Sequence, residues 1–178
     1  TERKLIEESA NQLAVTDHLT GVANRLGFEK AMARIEFEMQ AKLTTNFYLL
    51  MIDLDGFKNI NDDYGHEAGD KVLCNFAQLL TMIVRKSDFI ARLGGDEFII
   101  VLKDIDHLEQ AQNIAQKIIN DAARPYLLEK HMKIEIGASI GIAYVNTVEF
   151  DITDALHQAD EAMYIAKRAG KNRYALNP

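Results

Sequence analysis

The sequence predicts an α+β domain, a β-α-β-β-α-β core with an antiparallel central sheet and helices on one face. Three observations carry that prediction. Phe89-Ile90-Ala91 and Phe98-Ile99-Ile100-Val101-Leu102 flank Gly94-Gly95, and paired glycines adopt the positive φ angles that a two-residue hairpin turn demands. Phe47 to Ile52 is an unbroken apolar run that stops at Asp53-Leu54-Asp55, the length and ending of a buried strand. Between these strands, apolar residues recur three and four apart, the spacing of amphipathic helices.

Taken in order, residues 1–16 carry a thin apolar seam of Leu5, Ile6 and Leu13. It reads as the end of a connecting helix, with coiled-coil spacing over two heptads, leading into a domain over 17–178; a frayed remnant is the competing reading. The chain starts without Met, which predicts a piece cut from something longer. Thr16 to Gly21 has cap and turn chemistry, and Asp17 and Arg25 bracket that turn as an ordinary salt bridge. Phe28, Met32, Ile35 and Met39 mark the next helix. After strand 47–54, Asp55 to Asp70 reads as a polar, glycine-punctuated loop, the kind of strand end where α/β proteins bind ligands. Val72, Leu73, Phe76, Leu79, Leu80 and Ile83 predict the following helix, and Leu108, Ala111, Ala115, Ile118 and Ala122 another, ended by Pro125. A short strand pair falls near Tyr126–Leu128 and Met132–Ile134. Ile136 to Ile142 alternates with Gly137, Ser139 and Gly141, a strand with close backbone neighbours. Leu156, Ala159, Met163 and Ala166 form the last helix, with Gly170 as its stop.

Composition narrows the function classes. The 178 residues suit one domain, 48% apolar and 26% charged, ordinary values for a globular protein. A net charge of −7 argues against a nucleic-acid binder, which usually shows a basic face. A single cysteine, Cys74, excludes an internal disulfide and fits a reducing compartment. No run approaches the length of a membrane span, so no membrane contact is expected from this stretch. The chemistry gathers elsewhere. Asp96 and Glu97 sit at the hairpin tip, and Asp53 at the end of a strand. If those strands are neighbours the carboxylates converge, and a divalent cation is the usual way to hold them together.

Gly94-Gly95-Asp96-Glu97-Phe98 resembles the signature of the GGDEF family, the bacterial diguanylate cyclases. The resemblance runs from Asp17-His18-Leu19-Thr20-Gly21 to Ala166-Lys167-Arg168-Ala169-Gly170-Lys171-Asn172. It implies a palm-like, ferredoxin-like fold and the condensation of two GTP into cyclic di-GMP and two pyrophosphates across a two-fold homodimer. It implies metal ligands at Asp53, the Leu54 carbonyl and Asp96 for two Mg²⁺ ions, with Mn²⁺ an alternative, and Glu97 as a metal-associated acid and candidate base. Glu97 is one residue out of phase with Asp96, so its side chain is expected on the other face of the strand. The resemblance further assigns Asn61 and Asp70 to the guanine edge, whose donors and acceptors suit an amide and a carboxylate. Phe57, Lys58, Gly95, Lys167 and Lys171 fall to GTP and its phosphates, and Arg85-x-x-Asp88 to an inhibitory site for the product.

The sequence departs from the family pattern at Lys171, often Arg, and at Gly56, where a larger side chain is common. A lysine there offers a point charge in place of a fork. The implied setting is the cytoplasmic domain of a longer bacterial signalling protein, with room for a membrane tether elsewhere in it. The rival reading is a catalytically silent module that binds GTP or cyclic di-GMP. A polymerase-like role fits the palm but lacks a basic channel.

Overall fold

The computed structural model describes residues 2–128 and 132–177. Its elements run α1 (Glu2–Ala14), α2 (Arg25–Gln40), β1 (Phe47–Asp55), α3 (Phe57–Tyr64), α4 (His66–Ile83), β2 (Phe89–Gly94), β3 (Glu97–Lys103) and α5 (Leu108–Ala122). The hairpin β4 (Tyr126–Leu128) and β5 (Met132–Ile134), then β6 (Gly137–Val145), α6 (Ile152–Arg168) and β7 (Arg173–Leu176) complete the chain. The main sheet has the order β2-β3-β1-β6-β7. β1 lies antiparallel between β3 and β6, and β7 joins the far edge parallel to β6.

Helices cover both faces, not the one face expected. The reason lies in β1, whose alternate residues feed two separate cores because side chains on a strand alternate faces. Tyr48, Leu50, Ile52 and Leu54 meet α4 and α5 through Val72, Phe76, Leu80, Ala111, Ala115 and Ile118. Phe47, Leu49 and Met51 meet α2 and α6 through Phe28, Met32, Ile35, Met39, Ala159 and Met163. Alternation along β1 then puts Asp53 and Asp55 on this second face, where the row turns from apolar to acidic.

Two further elements differ from the sequence reading. The expected loop 55–70 is mostly helical: α3 fills its centre and α4 begins at His66. Gly56 at φ +78° and Gly65 at φ +87° break the chain into two short entries, a left-handed conformation that glycine adopts without strain. β7 was not foreseen either, since four residues after a helix stop carry no periodic signal. The stop itself is where expected. α6 ends at Arg168, and Gly170 follows at φ +119°. On α1, Ile6 and Leu13 are 64% and 61% exposed; the side chain of Leu5 lies outside the described residues.

Candidate active site

The hairpin tip is Gly95-Asp96, not Gly94-Gly95. β2 continues through Gly94, which pairs with Glu97 across a register irregularity after Arg92. Gly94 and Gly95 take φ +148° and +52°, and a Cβ on either would meet nothing within 4 Å. Their glycine identity therefore serves backbone conformation and leaves an uncovered tip. Because Asp96 sits in the turn, strand alternation does not separate it from Glu97. Glu97 lies directly opposite Asp53 in the β1–β3 register, and cross-strand partners share a face. The expectation that Glu97 points away from the site is thus corrected.

Arg92, which sequence reasoning missed, locks this tip. Its Nε donates to the Gly95 carbonyl at 2.8 Å, and its Nη1 reaches both Asp17 carboxylate oxygens at 3.1 and 3.2 Å. Asp17 also accepts from the Thr20 amide and hydroxyl at 2.9 and 2.6 Å. Burial pushes the Asp17 carboxyl up, but the Thr20 hydrogen bonds and Arg92 outweigh it and hold the group below its ordinary value. Asp17 thus pairs with Arg92 rather than Arg25. Arg25 begins α2 and donates instead to the Leu93 carbonyl at 3.3 Å. No local spacing announces a partner this distant in the chain.

The acids at the tip are electrostatically unsettled. Burial, followed by the charge of Asp53, raises the Asp96 carboxyl above its usual range. Glu97 is raised as well, by burial first and then by Asp53, Asp96 and Asp160. Lys167 Nζ lies 2.9 Å from Asp53 Oδ2, so the phosphate-directed lysine of the sequence reading pairs here with the first metal-directed carboxylate. Among the described residues, no three acidic, histidine or cysteine side chains are already gathered into a ligand shell. Even so, the donor set suits a hard cation: hard oxygens, excess negative charge, and one positive group drawn in to offset it. Leu54 is core on its side-chain side, leaving its backbone as the only group it can offer; its N–H already donates to the Asp96 carbonyl oxygen at 3.3 Å.

The remaining residues assigned to GTP lie in the first turn of α3, where α3 meets α4, and in the turn after α6. Phe57 and Lys58 form the first turn of α3, where N–H groups lack intrahelical acceptors and suit an anion. Gly56, one of the two departures, supplies the left-handed entry to that turn, and a Cβ there would meet nothing. Asn61 lies on α3 and Asp70 on α4, and Gly69, next to Asp70 in the chain, packs against the Asn61 amide. A Cβ at Gly69 would lie 1.9 Å from Asn61 Oδ1, so glycine lets α4 approach that amide without displacing it. Asp70 follows at once and is exposed. Lys171 is exposed in a turn after α6 at φ +62°.

Arg85 and Asp88 stand apart, at the opposite end of β2. Arg85 donates through Nε and Nη2 to both Asp88 oxygens at 3.3 and 3.2 Å, and Nη2 also reaches the Lys103 carbonyl at 2.9 Å. The Asp88 side chain is 0% exposed, whereas Arg85 remains 56% exposed.

Comparison with known proteins decides the family. The model of the family described as "Diguanylate cyclase, GGDEF domain" matches residues 14–173. The chain belongs to the GGDEF family. A diguanylate cyclase of Vibrio cholerae is 37% identical over 172 residues, covering 94% of this chain and 51% of that protein. The GGDEF domain of TpbB (YfiN) from Pseudomonas aeruginosa superposes with a TM-score of 0.83 at 37% identity, covering 92% of this chain and 94% of that one. The coiled coil and GGDEF domain of DgcB from Caulobacter crescentus, solved in complex with c-di-GMP, superposes with a TM-score of 0.90 at 26% identity, covering 98% and 92%. This GGDEF chain spans about half the length of the first curated relative, and 23% and 16% of two others.

Proposed function

We propose that this GGDEF domain is an active diguanylate cyclase, converting two GTP into cyclic di-GMP and two pyrophosphates. The observation that carries this reading is the convergence of Asp53, Asp96 and Glu97 on one tip beside the free N–H groups of α3. Like charges brought this close at a strand end and a hairpin tip have no structural use that apolar residues would not serve better. Asp53, Asp96 and the Leu54 carbonyl would hold Mg²⁺, or Mn²⁺ in its place. Two such ions, when bound, polarise the α-phosphorus and neutralise the charge of departing pyrophosphate.

Asn61 and Asp70 would hold the guanine edge, and Phe57 and Lys58 the phosphates through backbone N–H groups. Lys167, paired with Asp53, would turn to phosphate, as would Lys171. The ribose 3′-hydroxyl of one GTP attacks the α-phosphorus of the GTP on a second subunit. A phosphorus–oxygen bond forms there, the bond to the β-phosphate oxygen breaks, and pyrophosphate leaves with that electron pair. Glu97, whose carboxyl is raised by burial and then by the charges of Asp53 and Asp96, would take the hydroxyl proton. One chain supplies half of this symmetric exchange, so turnover needs a homodimer at least transiently.

Product bound at Arg85 and Asp88 would act on the far end of the same hairpin. The domain assignment follows: α1 as a connecting helix, the cyclase from Asp17 onward, in the cytoplasm of a bacterial cell. No described helix is long and apolar enough to cross a membrane. The test is Asp53→Asn, which keeps side-chain volume and removes one metal-directed charge. It should abolish turnover while the circular dichroism spectrum stays that of the parent. Mg²⁺-dependent conversion of GTP surviving in that variant would sink the assignment.

A further inference from the structure

Asp55 is the last residue of β1 and has no assigned role. Both oxygens of its carboxylate accept hydrogen bonds, from partners in two other segments. Oδ1 accepts from the Ser139 hydroxyl at 2.7 Å, on β6, and Oδ2 accepts from the Asn172 backbone N–H at 2.8 Å. Ser139 is 0% exposed, one of few buried polar side chains among the described residues, so its hydroxyl depends on this acceptor. Asn172 and Lys171 both adopt left-handed backbone, at φ +47° and +62°. Two consecutive non-glycine residues in that region are unfavourable and persist only where surrounding structure fixes them. The bond from Asn172 to Asp55 fixes them from outside the turn. The bond from Arg173 Nε to the Lys171 carbonyl at 3.0 Å, and from the Lys171 N–H to the Ala166 carbonyl at 3.1 Å, fix them from within.

The position of Asp55 gives this clasp its meaning. It is followed at once by Gly56, Phe57 and Lys58, the entry to α3, and its carboxylate holds the turn that displays Lys171. We infer that Asp55 is a positioning residue for GTP, setting the spacing between the α3 N-terminus and the Lys171 turn so that both meet one triphosphate. The inference rests on the reading of Lys171 as a phosphate contact. Gly137 offers an independent handle on the same clasp. It pairs with Asp55 in the β1–β6 register, and a Cβ there would lie 3.1 Å from both Asp55 Oδ2 and Asn172 Oδ1. An added methyl would wedge the clasp while removing no donor or acceptor.

The experiment measures GTP KM and kcat with Mg²⁺, alongside calorimetric binding of a GTP analogue that does not react at the α-phosphorus and a thermal melt of each variant. Asp55→Ala should raise KM and the analogue Kd about tenfold, with a smaller change in kcat, as expected when binding common to ground and transition states is lost. Asp55→Asn retains an oxygen for the Asn172 N–H and offers its amide to the Ser139 oxygen, so it should stay within about threefold of the parent. A metal ligand at this position would instead lose activity in Asp55→Asn, overturning the inference. In a Lys171→Ala background, Asp55→Ala should add no more than about twofold to KM, because residues acting as one unit are not additive. Full additivity would overturn the positioning role alone. An unchanged KM in Lys171→Ala by itself would refute the phosphate reading, and the positioning role with it. Should Asp55→Ala fail to fold, Gly137→Ala decides: a KM raised about threefold at near-parent Tm supports the clasp, and an unchanged KM overturns it.

Discussion

Gly141→Ala tests how the sheet positions the basic end of the site. Gly141 lies in β6 under α6, and a Cβ there would fall 1.9 Å from the Ala159 carbonyl oxygen, 2.2 Å from the Met163 nitrogen and 2.9 Å from the Met163 Cα. All are helix backbone, so no rotamer change relieves the collision. The oxygen and nitrogen are four residues apart, the partners of one helical hydrogen bond, and the methyl would press on that bond. Restoring ordinary contact means widening 1.9 Å to about 3.4 Å, a retreat of α6 by about 1.5 Å. Overpacking absorbed by side chains costs about 1–3 kcal/mol; with backbone as the obstacle we expect about 3–5 kcal/mol. The entropy a Gly→Ala change removes from the unfolded chain offsets only about 0.4–1 kcal/mol. That is a large share of a domain's stability, typically about 5–15 kcal/mol. Lys167 lies one turn beyond Met163, so the same shift draws it off Asp53, 2.9 Å away, and should raise GTP KM in whatever fraction folds. Urea unfolding at constant m-value, with KM measured below the transition, reads both effects. A loss of less than about 1 kcal/mol would refute the argument that backbone contact between β6 and α6 is what glycine secures.

Gly69→Ala should behave differently, because its clash at 1.9 Å is with the end of the Asn61 side chain. That amide can swing aside, so stability should fall by less than about 2 kcal/mol while GTP affinity and preference over ATP decline; unchanged nucleotide preference would remove Asn61 from base reading. Asp17→Asn should cost about 1–2 kcal/mol at pH 7, the worth of charge-assisted bonds from Thr20 and Arg92. A carboxyl held below its ordinary value stabilises above the unfolded pKa of about 3.9 and loses that contribution as pH falls through the folded value. The deficit of Asp17→Asn should therefore shrink below about pH 4 in denaturant titrations, and a pH-independent deficit would show that packing dominates. Arg85→Ala should weaken cyclic di-GMP binding by about tenfold or more and leave initial rates near the parent, measured by calorimetry beside early-time turnover. Unchanged product affinity would leave Arg85 and Asp88 as a structural ion pair at the start of β2.

Much of this was legible in the chain because short-range signals carried it. The run Phe47 to Ile52 ending in Asp53, the helical spacing of Phe28, Met32, Ile35 and Met39, and the glycine pair before Asp96 are patterns of period and turn, and each lies where its chemistry requires. What escaped depends on contacts between distant segments. Asp17 finding Arg92 in place of Arg25, and Asp55 clasping Ser139 and Asn172, follow from strand order that no local window encodes. The face of Glu97 was misjudged because the turn begins at Gly95, one residue later than the glycine pair suggests, so Asp96 belongs to the turn and strand alternation starts only at Glu97. α3 was hidden by its polarity. With Ile60 its one buried residue, its spacing offers no apolar stripe to read.

The central claim is that two GTP bound to facing copies of this domain become one cyclic di-GMP. The most direct measurement incubates the purified chain with GTP and Mg²⁺, and quantifies nucleotide by chromatography and pyrophosphate enzymatically, over a range of protein concentrations. The account predicts one cyclic di-GMP and two pyrophosphates for each two GTP consumed. It also predicts an initial rate that climbs faster than linearly with protein while dimers are scarce. GTP bound tightly but recovered intact at every protein concentration would contradict it and mark the domain as a silent nucleotide-binding module.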